Sequence, residues 1–133
     1  MFNESQFGFI HSSSTTNAVI SFIKRCFNGI ENGNHVWCRF FDFTKAFDTV
    51  SHVTLLQKLE YYGFSLDSIN FLQSYLSNRY QSVFVDDANK SQYKVVKHGV
   101  LQGSVLEPVF FIIYINDLAL VVCNHSTAPY LFF

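Results

Sequence analysis

Two stretches of this chain concentrate side chains able to do chemistry. The first is Phe40-Phe41-Asp42-Phe43-Thr44-Lys45-Ala46-Phe47-Asp48-Thr49-Val50. Asp42 closes an aromatic run, and a carboxylate desolvated by flanking Phe side chains is costly unless it is paired or bound to a metal. Asp42 therefore reads either as a metal-facing acid at a strand end or as a turn or cap residue. Asp48, just before Thr49–His52, reads as a helix cap. The second stretch is Gly99-Val100-Leu101-Gln102-Gly103-Ser104-Val105-Leu106-Glu107-Pro108. Its two glycines permit close approach of backbone to a ligand, which would bring the Gln102 amide to a base or sugar edge. The competing reading is a plain loop entering a helix capped near Ser104.

Other polar groups carry weaker signals. Asp86-Asp87 sits in a turn context and reads as solvated. Lys90, Lys94, Lys97 and His98 form a basic strip that either touches phosphates or lines a solvated strand face. His35, His52 and His125 lack metal-ligand spacing, as do Cys26, Cys38 and Cys123, which are expected to be buried, reduced thiols.

These groups need elements to position them. Ser12-Ser13-Ser14-Thr15-Thr16 supplies N-cap hydroxyls before the apolar series Ala18, Ile20, Phe22, Ile23, Cys26, Phe27, Ile30, which predicts a helix ending in the Gly29–Asn34 cluster. His35–Phe43, aromatic and nearly continuous in apolar character, predicts a strand buried on both faces. Thr44–Val50 reads as a turn or short helix. Val53–Tyr62 reads as a helix stopped before Gly63, and 66–76 as a third helix capped by Ser65, burying Ile69, Phe71, Leu72, Tyr75 and Leu76. Tyr80–Val85 and Gln92–Val96 predict a hairpin. An apolar helix should run from about Leu106 to Val122, and Tyr130–Phe133 reads as the start of a strand. The mixture is α+β, with no internal repeat and no dividing linker.

The 133 residues are 49% hydrophobic and 18% aromatic, with sixteen Phe, which excludes disorder and low-complexity classes and suits one small domain. A net charge of −1 announces neither a polyanion partner nor an anionic membrane. No basic region followed by an apolar run opens the chain, so no signal peptide is expected and the protein reads as intracellular, in cytoplasm or nucleus. Val105–Cys123 is apolar enough to suggest a membrane span, but Glu107 and Asp117 would each cost about 2.5–3.5 kcal/mol near the centre of a bilayer, so a buried helix is the better reading.

Taken together, the two motifs occur in one order with Gln6-Phe7-Gly8-Phe9, Ser14-Thr15, Leu55-Leu56-Gln57-Lys58-Leu59, Tyr62-Gly63, Tyr75-Leu76-Ser77-Asn78-Arg79 and Tyr114-Ile115-Asn116-Asp117-Leu118. In that order they resemble the reverse transcriptase of non-LTR (LINE) retrotransposons of the jockey type over nearly the whole chain. The resemblance implies part of a right-hand polymerase fold, an RNA-directed DNA polymerase (a nucleotidyltransferase), with residues 1 to about 34 in the fingers and about 35–133 mostly in a palm whose antiparallel sheet packs on helices.

It also implies roles for individual residues. Asp42 would be the first catalytic carboxylate and, with the backbone carbonyl of Phe43, a ligand for Mg²⁺, since hard cations prefer oxygen. The nucleotide-binding positions would be Phe43, Thr44, Lys45, Ala46 and Phe47, with the Lys45–Phe47 backbone meeting the triphosphate and Phe47 acting as an aromatic gate under the sugar, together with Gln102 and Gly103 beside the incoming nucleotide and template. RNA template, DNA primer and dNTP would be the partners, without a membrane.

Departures from the family accompany the matches. Leu101 stands where Pro is usual and Glu107 where Gly is usual, which bears on loop rigidity and helix entry. Ile10 and His11 replace basic residues. The family's paired aspartates should follow a segment like Tyr130–Phe133, and one carboxylate cannot hold two divalent ions against their hydration. The chain alone is therefore expected to lack polymerase activity. The alternatives are a non-catalytic remnant that binds nucleic acid or protein, and an unstable pseudogene product in which Phe110, Phe111, Phe132 and Phe133 lack cover.

Overall fold

A computed structural model describes residues 6–85, 89–122 and 129–130. The chain forms two compact units, Met1–Thr44 with Ile115–Phe133, and Lys45–Tyr114.

In the first unit the long helix α1 (Thr15–Glu31) starts where Ser14 Oγ accepts the Asn17 N–H. It ends in a Schellman motif: Gly33, at φ +75°, donates to Ile30 O and Asn34 donates to Gly29 O. The serine run and the Gly/Asn cluster thus act where the sequence places them. The expected apolar face is largely uncovered, however. Of its residues only Ala18 is buried.

The strand expected over His35–Phe43 does not form. These residues have no regular structure, and Trp37 is 92% exposed, with Phe40 and Phe41 each at 78%. A strand exists only through ladder partners, and among the described residues none pairs with this segment. Instead alternate residues lie along α1. Val36 reaches Gly29, Cys38 reaches Cys26, and Phe40 meets Phe22 edge-on at 5.7 Å. Tyr130 also reaches α1, its ring 6.0 Å from Phe22 and 5.9 Å from Phe7, its hydroxyl donating to Ser21 O.

The second unit opens with a 3-10 turn, Ala46–Thr49, followed by α2 (His52–Tyr61) and α3 (Leu66–Leu76). Ser51 and Ser65 cap the two helices, accepting from the Thr54 and Ser68 N–H groups. Gly63, at φ +84°, closes α2 with a second Schellman pair, donating to Glu60 O while Phe64 donates to Leu59 O. Leu55 and Leu59 of α2, Leu72 and Leu76 of α3, Val50, Val100 and Phe110–Ile113 form the core. Phe71, expected inside, is 67% exposed, because the buried leucines at 72 and 76 turn its position outward.

The predicted hairpin is present in shortened form: β1 (Tyr80–Gln81) pairs antiparallel with β2 (Lys94–Val95), and Phe84 bridges to Lys90. Between them Ser91 Oγ takes the Val83 N–H, so a side chain replaces a ladder bond and the strands stay short.

The apolar helix expected from Leu106 to Val122 is two helices, α4 (Leu106–Ile115) and α5 (Leu118–Val122). Asn116-Asp117 breaks it, and the Asp117 carbonyl starts α5 by accepting from Leu120 and Val121. Phe110 and Phe111 are buried rather than bare, Phe110 against Tyr75. No helix among the described residues is long and apolar enough to cross a membrane. The expectations placed on Asp86-Asp87, Cys123, His125 and Leu131–Phe133 lie outside the described residues.

Candidate functional site

The second unit joins most of the two chemistry-bearing stretches. Residues 46–50 and 99–102 are 50 or so positions apart in sequence, yet the Gly99 N–H donates to Val50 O (2.8 Å) and the Val100 N–H to Phe47 O (3.0 Å). Gly99 is buried at φ +87°. A Cβ there would stand 2.9 Å from Asp48 Cα and 3.1 Å from Phe47 O, so the loop can lie on the turn only because position 99 has no side chain.

The Gly99 carbonyl accepts from His52 Nε2 at 2.7 Å, which places the ring proton on that nitrogen. A bridge between Ser51 and His98 extends the junction. Backbone, imidazole and glycine thus hold one loop on one turn.

The turn has its own constraint. Lys45 adopts the left-handed conformation (φ 54°, ψ 50°), and its carbonyl accepts the Asp48 N–H. For a residue with a Cβ that conformation costs about 1–3 kcal/mol, and it is maintained where surrounding contacts over-determine it. The Lys45 side chain is exposed. Phe47 is half-buried, its ring 4.7 Å from that of Phe111 in α4.

Asp48 does not cap α2, since Ser51 does. Its carboxylate instead accepts from Gln102 Nε2 (3.0 Å) on an exposed face. Glu107 closes the far end of the loop. Its Oε2 accepts the Gly103 N–H (2.6 Å) while its own N–H donates to Ser104 Oγ (3.1 Å), a reciprocal arrangement close to a capping box. Helix entry is therefore secured by the residue whose presence was a departure.

Asp42, Phe43 and Thr44 belong to the first unit and are exposed. Asp42 stands on irregular backbone and not at the end of an interior strand. Among the described residues no three Asp, Glu, His or Cys side chains converge as a metal cluster would require.

The basic strip is exposed at all four positions, and Lys90 lies over the Phe84 and Tyr93 rings at 4.9 and 4.0 Å. Cys26 is half-buried and Cys38 exposed, contrary to the expectation of burial. Their sulfurs are 3.9 Å apart, and partial burial followed by the Cys38 thiol raises the Cys26 pKa.

Sequence reading missed the parts played by His52, Asp48 and Glu107. The only local signal was the Ser104-x-x-Glu107 spacing. The Asp48–Gln102 and His52–Gly99 pairs are long-range and leave none.

The family model described as reverse transcriptase (RNA-dependent DNA polymerase) matches residues 1–128. A probable RNA-directed DNA polymerase from transposon BS of Drosophila melanogaster is 32% identical over 130 residues, covering 93% of this chain and 14% of that protein. The RNA-directed DNA polymerase from mobile element jockey of the same fly is 32% identical over 113 residues, covering 85% of this chain and 12% of the other. A Pol polyprotein from the type-1 retrotransposable element R2 of Popillia japonica is 32% identical over 77 residues, or 58% of this chain. The chain thus spans 14% or less of the length of these relatives.

Proposed function

The chain belongs to the reverse transcriptase (RNA-dependent DNA polymerase) family, and from that premise we propose that it contributes the nucleotide-binding part of an RNA-directed DNA polymerase of a non-LTR retrotransposon. Such enzymes use divalent metal ions and nucleic-acid substrates. The mixed helices and two-stranded sheet are compatible with a polymerase fold, in which residues 1–34 would be fingers and 35–133 mostly palm.

The single observation that carries the proposal is the clasp between residues 46–50 and 99–102, because it brings the loop of Gln102 onto the turn of Phe47, two positions to which the resemblance gives nucleotide contact. In this reading the Lys45–Phe47 backbone meets the triphosphate, with the exposed Lys45 ammonium beside it. Phe47, braced by Phe111, supplies a bulky wall under the sugar, and Gln102 and Gly103 border the base and template. Thr44 and Ala46 complete the backbone path. Asp42 and the Phe43 carbonyl would offer oxygen to Mg²⁺. These two donors do not fit a complete site, since Mg²⁺ requires near-octahedral oxygen ligation, and no metal-dependent step is assigned to the chain by itself. RNA template, DNA primer and dNTP are the proposed partners of the enzyme to which it contributes.

Titrating the chain with a fluorescent deoxynucleoside triphosphate tests this. Lys45→Ala and Gln102→Ala should each weaken binding about three- to tenfold, the loss expected for about 1 kcal/mol of a solvated contact. Unchanged binding in both variants would overturn the assignment. Primer extension on an RNA template by the chain alone should yield no product, and product would refute the claim that its donor set is incomplete.

A further inference from the structure

Three contacts fasten segment 36–40 to α1 within the first unit, and their spacing is regular. On the helix they involve Phe22, Cys26 and Gly29, separated by four and three residues and so on one face. On the segment they involve Phe40, Cys38 and Val36, every second residue. A Cβ on Gly29 would come within 2.7 Å of Val36 Cγ2, so the absence of a side chain there lets the segment lie close. Phe22 and Phe40 meet at 5.7 Å. Between these two fixed rungs the Cys26 and Cys38 sulfurs stand 3.9 Å apart. That is beyond the S–S bond length of about 2.05 Å, so they are separate thiols held in contact.

We propose that Cys26 and Cys38 form a dithiol site that takes a small-molecule disulfide such as oxidised glutathione and closes to an intramolecular disulfide, locking segment 36–40 onto α1. Cys38, the exposed thiol, is the entry point. As the thiolate it attacks one glutathione sulfur, forming a mixed disulfide and releasing one glutathione. Cys26, on losing its proton to solvent, attacks the Cys38 sulfur. The bond to glutathione breaks, and the second glutathione leaves with its electron pair and takes up a proton. Two protein thiols are oxidised by two electrons, and one glutathione disulfide is reduced to two thiols. Partial burial, which raises the Cys26 pKa, slows the second step at neutral pH, since only the thiolate attacks.

The full chain equilibrated across a series of oxidised-to-reduced glutathione ratios provides the test, with thiol counting by maleimide mass shift and non-reducing peptide mapping. The expected product links Cys26 to Cys38 and leaves Cys123 free. It should appear at a ratio about tenfold lower than the same chain requires in urea, equivalent to about 30 mV for a two-electron couple. Cys26→Ser should stop at a glutathione adduct on Cys38. A linkage to Cys123, or equal ratios in buffer and urea, would overturn the proposal. The second comparison uses the unaltered chain and does not depend on any variant folding.

Discussion

Gly99 is where the 46–50 turn and the 99–102 loop meet. Any side chain there meets the Asp48 backbone, and its φ of +87° disfavours one in any case. Gly99→Ala should therefore destabilise the second unit by about 1–3 kcal/mol, read as a lower urea midpoint with unchanged slope. A midpoint within error of the parent would show that the clasp is not required. Glu107 presents the opposite case, a residue that adds a contact. Glu107→Ala removes the acceptor for the Gly103 N–H and should cost about 0.5–2 kcal/mol, with the loss concentrated in earlier hydrogen exchange at Gly103 and Ser104. At Cys26 the expected effect is one of pH. A raised pKa means that thiolate appears at higher pH, so alkylation of Cys26 should rise at higher pH than that of a free cysteine.

At the scale of elements, the helices owe their ends to local chemistry and their stability to packing. Leu55 and Leu59 are fully buried between α2 and the rest of the second unit, whereas the face of α1 around Ile20, Ile23 and Phe27 stays open. Leu59→Ala should cost about 2–5 kcal/mol by thermal or urea unfolding, against little for Phe27→Ala, whose ring is 60% exposed. Equal effects would contradict the packing described. Much of this level was legible. Ser14 and Ser65 cap as their positions suggest, and Gly33 and Gly63 terminate helices, because caps act within one turn and need no tertiary context, whereas the cap of α2 is Ser51 and not Asp48. The His35–Phe43 strand was misread for the complementary reason: a run of aromatic residues states that burial would be favourable without stating that a partner strand is present.

Across the molecule, the described residues expose many large apolar side chains, among them Trp37, Phe40, Phe41, Phe71, Val85, Val105 and Val121. Exposed apolar patches of this kind mark interaction surfaces or association liabilities. The isolated chain should bind a hydrophobic dye in native buffer and sediment faster as its concentration rises, and monomeric behaviour with no dye response would argue that these groups are covered in solution.

The amino-acid sequence by itself determined the family, the order of the motifs and where most helices begin and end, since each depends on residues close together along the chain. Tertiary structure alone decided that Gln102 faces Asp48, that His52 holds Gly99, that Cys38 reaches Cys26, and that Asp42 lies on exposed, irregular backbone. Those outcomes depend on which distant surfaces meet, and closing a loop of 50 residues is a free-energy balance that no local spacing records.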